Sequence, residues 1–159
     1  LGVDADEVAD ALRPIYPDLR RFAAVVGPLD VDPDDLVQEA VVRLLVSGQW
    51  QKVRDLRAYL RRTIVNLASN ERRRFARQQA AVERNVVEIT LVAAYPSDLA
   101  ELGRVEPMTR ALLYLVELED YPIDEAAALV GCTPAAARTR LSRARRRLKS
   151  ELETGALDD

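Results

Sequence analysis

Residues 121–152 read YPIDEAAALVGCTPAAARTRLSRARRRLKSEL: two helical patterns joined by a very short break. No other stretch constrains the fold as tightly. Gly131 suits the left-handed residue that ends a helix. Thr133 is placed to N-cap the next helix, and Pro134 sits at its first position, where a missing N–H costs nothing. Ala137, Leu141, Ala144 and Leu148 recur at helical spacing and form a stripe to bury. Ala135, Thr139, Ser142, Arg143 and Arg146 point the other way. A short helix, a Gly turn and a basic second helix make a helix-turn-helix, whose second helix enters a DNA major groove. The competing reading is a solvated surface helix. Arg138, Arg140, Arg143, Arg145, Arg146, Arg147 and Lys149 argue against it, because no Asp or Glu lies between 126 and 150. A merely solvated helix mixes signs for pairing one turn apart.

Charge is partitioned along the whole chain. The overall net charge is −3. By segment it is −6 over residues 1–50, +7 over 51–85, −7 over 86–125, +7 over 126–150 and −4 over 151–159. Two separate basic segments suit two contacts with nucleic acid and leave acidic surfaces for protein partners.

Composition removes several classes of chemistry. There is no histidine, which excludes histidine-based triads and His-containing zinc sites. No Gly-rich phosphate loop occurs. The acids fall in N-caps and solvated runs, so they do not single out a carboxylate catalyst. The one cysteine, Cys132, cannot form an internal disulfide, and a small core residue is the expectation at that turn. Apolar runs are too short to span a membrane and the N-terminus is acidic, so the expected location is cytoplasmic, without membrane insertion.

Periodicity predicts an all-α chain. A helix or helix pair is expected over residues 5–26, broken near Pro14 and Pro17. Another is expected at about 33–46, with Asp32 as N-cap and Asp34 and Asp35 in the first turn, where the helix dipole favours acids. Residues 47–54 read as a loop. A long helix follows at about 55–77. It buries Leu56, Tyr59, Leu60, Thr63, Ile64, Leu67 and Ala68, and turns Arg61, Arg62, Asn66, Ser69, Arg72 and Arg73 largely outward. Gln78 to Asn85 could continue it, and the apolar 85–94 segment has no clear period. The division is a first helical domain at 5–77, a linker at 78–97 and a second domain at 98–152. The second holds a short helix at 98–103, a firmer one at 107–119 and the helix-turn-helix.

The motifs in combination are more specific than any one alone. DPDDLVQEAVVRLL (32–45) resembles the segment of bacterial sigma factors that docks on the RNA polymerase clamp. LRAYLRRTIVNLASNERRR (56–74) resembles the next segment, which melts and reads the −10 promoter element. The terminal helix-turn-helix resembles the domain that reads the −35 element. Their order and spacing resemble the extracytoplasmic-function (ECF) group of the sigma-70 family, over about residues 8–152. Two departures stand out. Tyr59 occupies a position where the family commonly has tryptophan, and Ala136 replaces a hydroxyl residue early in the recognition helix.

The resemblance implies a sigma factor that binds core polymerase and promoter DNA, recognises both elements and promotes melting, with no catalysis of its own and no cofactor or metal. It implies docking on the β′ clamp coiled coil through Asp34, Asp35, Leu36, Gln38 and Glu39, with the β flap as a further polymerase contact. In the −10 region it implies DNA contacts from Gln49, Trp50, Lys52, Arg54, Arg61, Arg62, Asn66, Asn70, Arg73 and Arg74. For Trp50 a core position is an equal expectation. In the −35 region it implies Thr133, Arg138, Thr139, Arg140, Ser142, Arg143, Arg146 and Arg147. An anti-sigma factor is a further implied partner. Two other classes fit parts of the chain: a sigma-like adaptor acting by protein binding, and a stand-alone helix-turn-helix repressor. Neither needs the DLVQE segment together with both basic helices.

Overall fold

The computed structural model describes residues 2–85 and 105–155, and every regular element among them is helical. Helix α1 is Ala5–Leu12 and α2 is Tyr16–Val26, with Pro17 in the first turn of α2. Asp4 caps α1 by accepting from the Asp6 N–H. Helix α3 is Pro33–Val46, and Asp32 caps it by accepting from the Asp34 N–H at 2.8 Å. The 47–54 segment holds a single 3-10 turn, Trp50–Lys52. Helix α4 is Leu56–Asn85. Residues 78–85, expected to open the linker, are therefore the last two turns of this helix. The remainder of the expected linker and the short helix at 98–103 lie outside the described residues.

In the second half, α5 is Pro107–Leu113 and continues directly into a π-helical segment, Tyr114–Leu118. Helix α6 is Ile123–Val130 and α7 is Pro134–Gly155. Gly131 ends α6 with φ +83°, and its N–H donates to the Ala127 carbonyl. The Thr133 hydroxyl accepts from the Ala136 N–H at 3.2 Å, which caps α7.

The two halves do not stand apart. Leu19, Phe22 and Val26 of α2, Leu44 of α3 and Leu60 and Ile64 of α4 share one buried core with Leu112 and Leu115 of the α5 segment, Val130 of α6 and Leu141 of α7. Phe22 meets Tyr114 edge to face, with ring centroids 5.6 Å apart. Such a pair adds about 0.5–1.5 kcal/mol beyond the area it buries. Close approach also fixes the end of α2. A Cβ on Gly27 would lie 2.8 Å from the Ala23 carbonyl oxygen and would collide with the Leu36 side chain, so only glycine fits.

Candidate nucleic-acid interface

The recognition helix α7 sorts its basic residues into two sets. Ala137, Leu141 and Ala144 bury the expected stripe. Arg138 pairs with Asp124 of α6 at 3.0 Å, Arg140 with Glu106 before α5, Arg145 with Glu117, and Arg147 with Glu151 one turn on. The acids missing from residues 126–150 are thus supplied mainly by neighbouring elements. Arg143 and Arg146 have no ion pair among the described residues, and both are exposed. Thr139 and Ser142 are exposed beside them. The Thr139 hydroxyl donates to the Ala135 carbonyl within the helix. Arg140, a residue that the resemblance assigns to the −35 region, is half-buried and turned toward Glu106. The Thr133 hydroxyl is engaged in capping.

Helix α4 carries the second basic surface. Arg62, Asn66, Asn70, Arg73 and Arg74 are all exposed. Arg73 is steadied by its own helix, donating to Asn70 Oδ1 and the Ser69 carbonyl. Arg74 lies 4.0 Å from Glu71. Arg61 departs from the expectation. It is fully buried, at 0% exposure, rather than turned outward. Its guanidinium donates to both carboxylate oxygens of Glu119, at 2.8 and 2.7 Å, and to Asp18 at 2.7 Å. It also lies over the Phe22 ring, 5.1 Å from the centroid. Burial alone would lower its pKa. The hydrogen bond to Glu119 and the charges of Asp18 and Glu119 outweigh that, and the net shift is upward.

A signal for this burial existed in the sequence. Val65 and Ala68 lie four and seven residues after Arg61, on its side of the helix, and both are buried. The second half of the chain covers that side.

Near the 3-10 turn, Gln49, Lys52 and Arg54 are exposed. Trp50 is buried, with 8% exposure, and its indole N–H points to Glu7 at 3.4 Å. Of its two expected roles, the core anchor is the one this structure displays.

On α3, Asp35, Gln38 and Glu39 are exposed, and Glu39 pairs with Arg43. Leu36 is buried at 4% exposure, so it belongs to the core and not to the outer face. Asp34 is held internally, accepting from the Tyr16 hydroxyl at 2.7 Å and from Arg20 at 3.1 Å. The Tyr16 hydrogen bond first, then Arg20, keeps its carboxyl below the usual carboxylate range. The polar face of α3 is continued by exposed Val42 and Val46.

A second buried arginine was not foreseen. Arg110 of α5 donates to the Gly27 carbonyl at 3.1 Å, just past the end of α2, and its Nε has no partner. Burial and then the like charge of Arg72 push its pKa down to about 10. Cys132 is half-buried, and burial raises its thiol pKa, which disfavours the reactive thiolate. Among the described residues, no cluster of acids and cysteine is placed to hold a metal, and no helix is long and apolar enough to cross a membrane.

Known proteins bear on these surfaces. Residues 12–78 match the family model of sigma-70 region 2, and residues 99–148 match that of sigma-70 region 4. The chain is 32% identical over 148 residues to the RNA polymerase sigma-E factor of Streptomyces avermitilis, covering 88% of this chain and 82% of that one. It is 26% identical over 162 residues to the ECF RNA polymerase sigma factor EcfG of Rhodopseudomonas palustris, covering 97% and 90%. The fold matches that of the sigma factor RpoE, solved with the anti-sigma factor NepR from Bartonella quintana. The TM-score is 0.67 at 23% identity, over 94% of this chain and 98% of that one. With both regions present, in order and across most of its length, the chain belongs to the ECF group of the sigma-70 family and is an RNA polymerase sigma factor.

Proposed function

We propose that this sigma factor divides promoter recognition between α7 and α4, and docks on core polymerase through α3. One observation carries the assignment for α7. Arg143 and Arg146 are exposed and unpaired among the described residues, while four other arginines of that helix are engaged with acids. Arg143, with Thr139 and Ser142, reads bases of the −35 element. Arg146, farther along, holds phosphate. Arg138 and Arg147 flank this face and reach DNA by exchanging a carboxylate for a phosphate.

On α4, Arg62, Asn66, Asn70, Arg73 and Arg74 serve the −10 element, with Gln49, Lys52 and Arg54 at the edge of the opened strand. A flipped base costs a few kcal/mol to unstack, which contacts in this region must repay. Asp35, Gln38 and Glu39 meet a basic coiled coil of the polymerase, where opposite charge favours encounter, and Val42 and Val46 add apolar contact.

The protein works in the cytoplasm as a dissociable subunit. The polymerase performs the chemistry, and an anti-sigma factor masks these surfaces when transcription is off. In vitro transcription of a genomic fragment pool with core polymerase, with and without this protein, tests the reading. Discrete new start sites with shared upstream elements are expected. Identical transcripts in both reactions would reject it.

A further inference from the structure

We propose that Arg61, Glu119 and Asp18 form a latch that holds the free chain closed, and that Arg61 is withheld from nucleic acid until Glu119 releases it. The second part of this inference rests on the sigma-factor reading above. The latch joins the two halves: Asp18 and Arg61 belong to α2 and α4, Glu119 to the end of the α5 segment.

Three observations converge on it. First, Arg61 is fully buried, whereas the Glu119 and Asp18 side chains keep 20% and 14% of their exposure, so water reaches the acids but not the arginine. Second, the Arg61 Nε is buried without a partner. The closed state therefore leaves one donor unsatisfied, which separation of the halves would expose to water. Third, the backbone that presents Glu119 is irregular. A π-helical segment ends at Leu118, and Asp120, immediately after Glu119, holds φ +55°. Both features are uncommon, and surrounding contacts must maintain them. Here the Glu119 N–H donates to the Tyr114 carbonyl and the Tyr121 N–H to the Leu115 carbonyl, and the turn so closed presents Glu119 to Arg61.

Size explains why a latch matters. A compact chain of 159 residues has a radius of gyration of about 15 Å, hence a width of about 40 Å. Elements named −35 and −10 are centred about 25 base pairs apart, roughly 85 Å along B-DNA at 3.4 Å per pair. The closed chain cannot reach both. Separation of the halves exposes Arg61 beside Arg62 on α4, so one arginine serves either the latch or the DNA.

The test uses the full chain with Cys132→Ser and dye-labelled cysteines at Val46 and Lys149, both exposed. Single-molecule energy transfer reads the distance between the halves without polymerase or DNA. Glu119→Gln, which keeps the shape and removes the charge, is expected to raise the open population about tenfold or more, whereas Asp18→Asn, whose pairs with Arg61 and Arg57 lie within the first half, should leave the distance between the halves near wild type. Circular dichroism verifies helicity, and Glu119→Asp, which keeps the charge on a shorter reach, gives an intermediate shift. In the chain without dyes or introduced cysteines, at subsaturating protein, Glu119→Gln also raises promoter-dependent transcription, whereas Arg61→Met opens the chain yet lowers DNA melting. An unchanged distance distribution in Glu119→Gln overturns the latch. Absence of promoter-dependent transcription by the wild-type chain instead rejects the sigma reading, and the distance measurement still judges the latch by itself.

Discussion

The Arg62 guanidinium lies across Gly131, with Nη2 3.1 Å from where a Cβ on that glycine would stand. A basic residue of the first half thus rests on the turn of the helix-turn-helix in the second. The contact is possible because Gly131 has no side chain, and the turn is possible because Gly131 accepts φ +83°. Gly131→Ala loses on the second count, while the exposed Arg62 side chain shifts by a few tenths of an ångström. The left-handed backbone costs about 1–2 kcal/mol for a residue with a Cβ. The melting temperature should fall by roughly 2–8 °C, given about 2–4 °C per kcal/mol for a chain of this size. Thermal melts followed by circular dichroism check it, and an unchanged midpoint would show that the turn relaxes freely.

On α3 the acids separate into two roles. Reversing Asp35 and Glu39 to Lys should weaken binding to core polymerase with only a small fall in melting temperature, because the dipole at Asp35 and the exposed Arg43 pair at Glu39 are each worth less than about 1 kcal/mol. Asp34→Lys should lower the melting temperature, because Asp34 joins Tyr16 and Arg20. Equal loss of core affinity and stability from both changes would mean that α3 is only a structural helix.

Asp34 also gives a pH dependence with a defined sign. Its folded pKa is depressed, so its contribution is present above the unfolded value of about 3.9 and is lost as pH falls through the folded value. Denaturant midpoints between about pH 5 and pH 2 should therefore fall less steeply for Asp34→Asn than for wild type. Parallel acid limbs would show that the Tyr16 and Arg20 bonds do not survive in solution.

For the −35 element the two unpaired arginines should behave differently. Arg143→Ala should relax preference at one or two positions, each worth about 1–3 kcal/mol of discrimination. Arg146→Ala should weaken all promoters alike and reduce the slope of log affinity against log salt by about 0.9. Transcription from a library randomised at the −35 element separates the outcomes. Uniform weakening by Arg143→Ala would reassign it to phosphate.

Arg110 differs energetically from Arg61. It is buried with one hydrogen bond to a backbone carbonyl and no acid partner among the described residues. Arg110→Met removes a desolvated charge of similar volume and should be neutral or stabilising by about 1–2 kcal/mol in urea titrations. Arg61→Met leaves Glu119 without its cation, while Asp18 keeps Arg57, and should cost about 3 kcal/mol. A loss of that size at Arg110 would mean that its bond to Gly27 outweighs the burial of its charge.

Much of this architecture follows from local rules. Asp32 before Pro33, Thr133 before Pro134 and glycine at 131 mark helix ends through capping and backbone preference, which act over three or four residues. The α7 stripe of Ala137, Leu141 and Ala144 is likewise local, since helical period alone aligns it. Local patterns of this kind set the helices, the helix-turn-helix and the membership that the motifs carry.

Which charges are free depends on long-range packing. Arg61 and Arg62 are neighbours in a run that reads as uniformly basic, yet one is buried against Glu119 and the other lies exposed over Gly131. The arginines of α7 look alike in sequence, but acids from elsewhere in the chain engage Arg138, Arg140 and Arg145 and leave Arg143 and Arg146. The physical reason is range. Capping and periodicity are set by residues within a turn or two, whereas the partner of Arg61 lies 58 residues away and is brought there only by packing α5 against α2 and α4.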